Sequence, residues 1–313
     1  MRSTDSKGRP VAVATTLMEP LTPYPGTRPL VSYQQAIDSL GDQCQPSYTL
    51  RTGTAYELAL IAMALSKGWA VTSTDFEGPR HAYGAGPMAG HAVLDGIRAA
   101  LRQLGRHTPV GLWGYSGGGQ ATTWAAKLQP GYAPEIDVKG IAGGGVPSDL
   151  AAAGELMDGS AFAGLFIAAA VGVGREYPEI LHVLNDEGRA MMDRVGDMCV
   201  AEEATALAFR RLDEFTTTPN PLADPVVARV LAENHLGQVT PTAPTYLYHS
   251  VFDELIPFSS AQRLRATYCA NGGTVRFVPD YLSEHAVLAV SGAPGAVRFL
   301  GDRFAGRPAP DNC

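Results

Sequence analysis

Three residues far apart in the chain have the types that an acyl-transfer centre needs: Ser116, Asp253 and His285. Ser116 lies in Gly114-Tyr115-Ser116-Gly117-Gly118, which fits the G-x-S-x-G pattern. A hydroxyl is a weak nucleophile until a base takes its proton, and an acid must orient that base. Where G-x-S-x-G carries the nucleophile, the partners follow in the order Ser, then Asp or Glu, then His. Two of the seven histidines come late, His249 and His285. His249 lies inside an apolar strand and reads as a core histidine. His285 follows a strand and is the only histidine after Asp253. Asp253 closes the run from Tyr246, at a strand's carboxyl end, where reactive side chains of such sheets gather. Glu254 points to the opposite side of an extended backbone and ranks second. Asp280 ranks third.

A tetrahedral intermediate needs two N–H donors for its oxyanion. The elbow geometry assigns one to Gly117. Two segments are open for the other: Asp75-Phe76-Glu77-Gly78, and the turn after Tyr33. Asp75 would serve through its N–H with its carboxylate turned away, because negative charge repels an oxyanion. Each residue also has a plainer reading. Ser116 is then a turn serine, Asp253 a helix cap, His285 a surface histidine and Asp75 a loop-opening cap. The joint order of the first three favours the chemical reading.

These side chains need elements to hold them. Pro109 to Trp113 reads as a buried strand entering the elbow, and Gln120 to Leu128 as a helix leaving it. A serine at such a turn requires small neighbours, and the helix amino terminus favours an anion there. Strands are expected at Val11–Leu17, Pro29–Tyr33, Trp69–Thr74, Val138–Ala142, Thr245–His249 and Thr274–Val278. Helices are expected at Thr54–Lys67 and His91–Leu104, where leucines and isoleucines recur on one face. This alternation predicts βαβ units around a largely parallel sheet. The rhythm breaks after about Leu150. Ala161–Val173, Tyr177–Val195 and Glu202–Phe215 read as helices, so residues 151–240 form a helical cap inserted into a core of residues 1–150 and 241–313.

Composition bounds the function. The 313 residues are 45% hydrophobic and 18% charged, as in a globular protein. A net charge of −7 argues against a nucleic-acid partner. Ala161–Val173 is too short to span a bilayer; it reads as a buried helix, with a lipid-touching lid as the sharper alternative. Phe162, Leu165 and Phe166 in it, with Tyr115, are candidates for contact with substrate, against a plainer role in packing. The first ten residues hold no signal-peptide core. Cys44, Cys199, Cys269 and Cys313 form no C-x-x-C pair, so neither a zinc nor a thioredoxin site is expected. Two disulfides are expected, with three pairings open.

Four motifs carry a family resemblance. They are Arg2-Ser3-Thr4-Asp5 with Gly8-Arg9-Pro10, Thr74-Asp75-Phe76-Glu77-Gly78, the elbow at Ser116, and His249 to Pro257 followed by Ser283-Glu284-His285. With these the chain resembles the secretory lipases of fungi and actinobacteria, the Candida antarctica lipase A-like group. The resemblance implies an α/β-hydrolase fold with a helical cap and hydrolysis of carboxylic esters, acylglycerols among them. It implies Ser116 as nucleophile, Asp253 as acid, His285 as base and Asp75 as second oxyanion donor. It also implies disulfides Cys44–Cys199 and Cys269–Cys313, and secretion. Members of the family carry a signal peptide and several dozen residues ahead of the Arg-Ser-Thr-Asp segment, where this chain begins. The expected partner is a small-molecule or lipid ester, met in part through transient contact of the cap with a lipid surface. No metal or organic cofactor is expected, and oligomeric state stays open. An acyltransferase that uses an alcohol as acceptor is the nearest rival; an idle binding protein is the rival from another class.

Overall fold

A computed structural model describes residues 1–313. At the amino terminus, β1 (Arg2–Thr4) and β2 (Pro10–Ala12) pair antiparallel as a separate ribbon. The main sheet contains β3 (Thr15–Met18), β4 (Leu30–Gln34), β5 (Ala70–Thr74), β6 (Val110–Tyr115), β7 (Val138–Gly144), β8 (Thr245–Ser250) and β9 (Val275–Asp280). Their spatial order is β3-β5-β4-β6-β7-β8-β9. Only β3 runs antiparallel to its neighbour. The single strand expected over Val11–Leu17 is therefore two strands in two sheets. The chain changes partner at Val13-Ala14, where Val13 N–H bonds Met1 O and Ala14 O accepts from Asp75 N–H.

Both faces of the sheet are covered, which explains the continuous apolar runs in its strands. Successive side chains alternate between faces. Leu30, Ala70, Leu112 and Ile141 pack with Leu94, Ile97 and Leu101 on one side; Val31, Val71, Trp113 and Ala142 pack on the other. In chain order the core helices are α1 (Pro46–Thr52), α2 (Leu58–Ser66), α3 (Gly86–Leu104) and α4 (Gly117–Tyr132). Between β7 and β8 lie α5 (Leu150–Met157), α6 (Ala163–Glu176), α7 (Asp186–Val195), α8 (Val200–Ala206) and α9 (Pro225–Glu233). This helical block has its own apolar centre around Ile167, Val195 and Phe215. The carboxyl-terminal part adds α10 (Phe258–Ala270), α11 (His285–Ser291) and α12 (Ala293–Phe304). This is an α/β-hydrolase fold. Chain reversal matters for the site. From β4 the chain steps to β5 on one flank, then returns to β6 on the other. Such a switch opens a crevice at the carboxyl ends of the two central strands.

Some helix bounds differ from expectation. The Tyr177–Val195 run breaks because Pro178 opens a 3-10 turn and Asn185 then caps α7, its side chain accepting from Gly188 N–H. The Glu202–Phe215 run stops at Ala206, and Phe209 sits at φ 63°. Disulfides join Cys44 to Cys199 and Cys269 to Cys313, with Cα atoms 5.6 and 5.4 Å apart. No helix is long and apolar enough to cross a membrane.

Candidate active site

Ser116 stands between β6 and α4 at φ 55°, a left-handed conformation that costs an L-residue energy. The turn fits because its neighbours lack side chains. A Cβ on Gly114 would overlap the Gly118 carbonyl, and one on Gly118 would overlap Gln34 O at the end of β4.

Around Ser116 the three distant residues come together. His285 Nε2 lies 2.9 Å from Ser116 Oγ, and His285 Nδ1 lies 2.7 Å from Asp253 Oδ2. These partners assign the tautomer: Nδ1 donates to the carboxylate and Nε2 accepts from the hydroxyl. Asp253 Oδ1 accepts the N–H groups of Leu255 (3.0 Å) and Ile256 (2.7 Å). Burial pushes the Asp253 carboxyl up, but His285, His249 and the Ile256 N–H outweigh it and hold it below the usual carboxylate range. Both Asp253 and His285 are buried.

The neighbouring residues explain how the pair is held. Glu254 accepts the backbone N–H of His285 at 3.1 Å through its Oε2. Asp280 accepts from Leu282 and Ser283 N–H, shaping the loop that leads to His285. Tyr115 Oη donates to His285 O at 2.7 Å. His249 is buried as expected, yet it also reaches the site. Its Nε2 lies 3.0 Å from Ile256 O and 3.2 Å from Asp253 Oδ2. Its position in an apolar strand disguised that second contact.

A cavity of about 410 Å³ opens over Ser116. Gly117, His285, Tyr115, Leu165 and Phe166 line it. Phe162 does not. It is the N-cap residue of α6 and is partly exposed, because it precedes the helix face that packs inward. A smaller, almost wholly apolar cavity inside the helical block shares Leu150 and Phe166 with the first.

Asp75 is not at the cavity. Its N–H donates to Ala14 O at 3.1 Å, which continues the β3–β5 ladder. Its carboxylate accepts from Ser47 N–H (2.8 Å) and Ser47 Oγ (2.6 Å). With its amide already spent, it has no donor to offer an oxyanion. The turn after Tyr33, the other segment left open, does reach the cavity through Asp38. Asp38 sits at φ 47°, and its N–H has no acceptor within the protein. Burial pushes the Asp38 carboxyl up to about 6, opposed by the nearby His285 and the Gly117 N–H. The signal available in the sequence was topological: Asp38 follows β4, at the switch point.

Comparison with known proteins places this geometry among relatives. The family model described as secretory lipase matches residues 44–312. A probable inactive lipase of Mycobacterium tuberculosis is 38% identical over 329 residues, covering 99% of this chain and 74% of the relative. A secreted triacylglycerol lipase of Malassezia furfur is 34% identical, covering 96% of this chain and 85% of the relative. The crystal structure of Candida antarctica lipase A in its closed state superposes with a TM-score of 0.93 at 28% identity, over 99% of this chain and 77% of that one.

Proposed function

The chain belongs to the secretory lipase family of carboxylic-ester hydrolases, and on that premise we propose that it cleaves fatty acyl esters through a Ser116–His285–Asp253 acyl-enzyme. The observation that carries this reading is the unbroken relay from Ser116 Oγ through both ring nitrogens of His285 to Asp253. Ser116 Oγ attacks the ester carbonyl carbon while its proton passes to His285 Nε2. Asp253 stabilises the imidazolium. The carbonyl oxygen becomes an oxyanion held by the N–H groups of Gly117 and Asp38. Nε2 then gives its proton to the departing alcohol. Water, deprotonated by the same nitrogen, attacks the acyl-enzyme and releases the acid. No step requires a metal or an organic cofactor.

The cavity supports an acyl substrate. It has room for a chain beside Ser116 and adjoins the apolar cavity of the helical block at Leu150 and Phe166. The relative from M. furfur, a triacylglycerol lipase by name, makes acylglycerols the first substrates to test. Two disulfides and the secretory family favour a location outside the cytosol.

The M. tuberculosis relative is named as inactive, so activity in this chain is the point to establish. Ser116→Ala should lower kcat on a dissolved short-chain ester by several orders of magnitude, on the order of 10⁴-fold or more. A fluorophosphonate should label the parent and not the variant. An unlabelled parent, or an Ala variant that keeps most of the activity, would overturn the assignment. Product analysis with water and an alcohol in competition separates hydrolysis from acyl transfer.

A further inference from the structure

The segment from Gln35 to Gln45 carries Asp38, yet apart from one 3-10 turn it has no regular structure. At Ser39 and Leu40 it is fastened to the helical block. The Leu40 side chain is fully buried among Ala163, Ile167, Val195 and Phe215 of that block. Leu40 N–H donates to Met198 O (3.0 Å) and Glu203 Oε1 (3.0 Å). Arg175 Nη1 donates to Leu40 O (2.9 Å), and Val200 N–H to Ser39 Oγ (3.0 Å). The Cys44–Cys199 bond closes the same junction. On the other side the segment is held at its ends, by Gln35 Nε2 on Ser73 Oγ and Gln45 Nε2 on Glu77 Oε2 (3.1 Å each) and by Tyr56 Oη on Ala36 O. Nearest Asp38, Ala36 N–H reaches Glu57 Oε1 and Ser39 N–H reaches Glu77 Oε1, each at 3.4 Å.

A loop without its own ladder takes its position from what grips it, and small displacements of a group facing the reaction are costly in rate. Resting on the reading that Asp38 N–H is an oxyanion donor, we propose that the Cys199–Glu203 turn of the helical block positions that donor, acting through Leu40, Glu203 and the Cys44–Cys199 disulfide. The block then does more than cover the cavity. It fixes one wall of the oxyanion pocket from two residues away. Neither Leu40 nor Glu203 lines the cavity, so both are positioning residues. Burial, with the charge of Glu77 beside it, pushes the Glu203 carboxyl up to about 9. Glu203 therefore serves as a neutral acceptor at pH 7, a role that a glutamine reproduces.

An oxyanion contact exists only in the transition state, so displacing the donor lowers kcat and leaves KM in place. The test uses p-nitrophenyl butyrate below its solubility limit. Glu203→Ala should lower kcat by about tenfold, a fraction of the 10²–10³-fold loss for a donor removed outright. KM should stay within about twofold, and Glu203→Gln should restore most of kcat. Val227→Ala loosens the same block at α9, outside the cluster that buries Leu40, and its kcat should match the parent's. Serine at both Cys44 and Cys199 should lower kcat, while serine at both Cys269 and Cys313 should not. If Glu203→Ala fails to fold, the cysteine pair gives the answer. The proposal is overturned if the folded Glu203 and Cys44–Cys199 variants turn over like the parent. It is also overturned if they raise KM instead, or if Val227→Ala slows equally. Should those variants stay fully active while Ser116→Ala is dead, the positioning role fails and the catalytic reading stands. An active Ser116→Ala enzyme would remove the catalytic reading itself.

Discussion

Two carboxyl groups flank the Ser116–His285 pair and are held at opposite ends of the carboxylate range. Asp253 is buried but satisfied by donors, so it is ionised and steadies the imidazolium. Asp38 is buried with no hydrogen bond to its Oδ1, and its proton is lost only near pH 6. Below pH 6 Asp38 is neutral beside the oxyanion pocket. Above it, a negative charge develops where the transition state places another. Asp38→Asn keeps the backbone N–H and removes that charge. The ratio of kcat at pH 8 to kcat at pH 6 should therefore rise by about threefold over the parent's, since a ~1 kcal/mol charge–charge repulsion slows the ionised form about fivefold and roughly half of Asp38 is already ionised at pH 6. A pH–rate profile on a dissolved ester measures it, and an unchanged ratio would place the Asp38 carboxyl outside the field of the oxyanion.

The elements that frame Asp38 repeat the same electrostatics on a larger scale. Burial, opposed by Tyr33 Oη and the Ala36 N–H, raises the Glu57 carboxyl to about 7 from an ordinary 4.5. A carboxyl whose value is raised on folding binds its proton more tightly in the native state. Its stabilising share is complete below about pH 4.5 and is lost as pH climbs through about 7. Urea midpoints should thus fall from pH 5 to pH 8, and Glu57→Gln, which keeps a partner for Tyr33 Oη, should flatten that slope. A second prediction belongs to the carboxyl-terminal tail. Asn312 pairs with Val275 and Phe277 along the free edge of β9, and Cys269–Cys313 tethers it there. Removing that bridge should cost about 4 kcal/mol of stability by loop-closure entropy, read from denaturant melts, with kcat unchanged at 25 °C. How far these elements were legible depends on what set their bounds. Strands buried on both faces announce themselves by unbroken apolar runs, and all seven strands of the main sheet fall on or beside such runs. Ser116, Asp253 and His285 were legible because their chain order is demanding. Asp38 was not singled out, because its role comes from strand order in space rather than from spacing along the chain. Within the helical block, local signals such as Pro178 and the Asn185 cap competed with helical periodicity and prevailed.

At the scale of the whole molecule, the question is which surface meets an insoluble substrate. The sequence pointed to the helical block. Its large exposed apolar side chains are Leu156, Phe162, Phe209 and Val239. A second set lies on the segments that carry the acid and the base: Phe252, Tyr281, Leu282, Val287 and Val290, with Leu282 93% exposed. Val287 and Val290 sit on α11, whose Ala286, Ala289 and Val290 line the cavity. Across the cavity, Tyr56 and Ala59 line it from the start of α2. A lipid surface resting on this rim would place ester groups directly at the opening above Ser116, whereas one resting on Phe209 would not adjoin that opening. Exposed apolar clusters of this kind mark contact surfaces, and each large side chain buried contributes roughly 1.5–3 kcal/mol. Leu282→Asp with Val287→Asp alters two rim residues that do not line the cavity. This pair should weaken binding to phosphatidylcholine vesicles by at least about tenfold, since 1.4 kcal/mol already gives that factor. Its rate on a dissolved ester should remain within about twofold of the parent's. Phe209→Asp is the comparison: a loss confined to that variant in vesicle sedimentation would move the contact from the rim to the helical block.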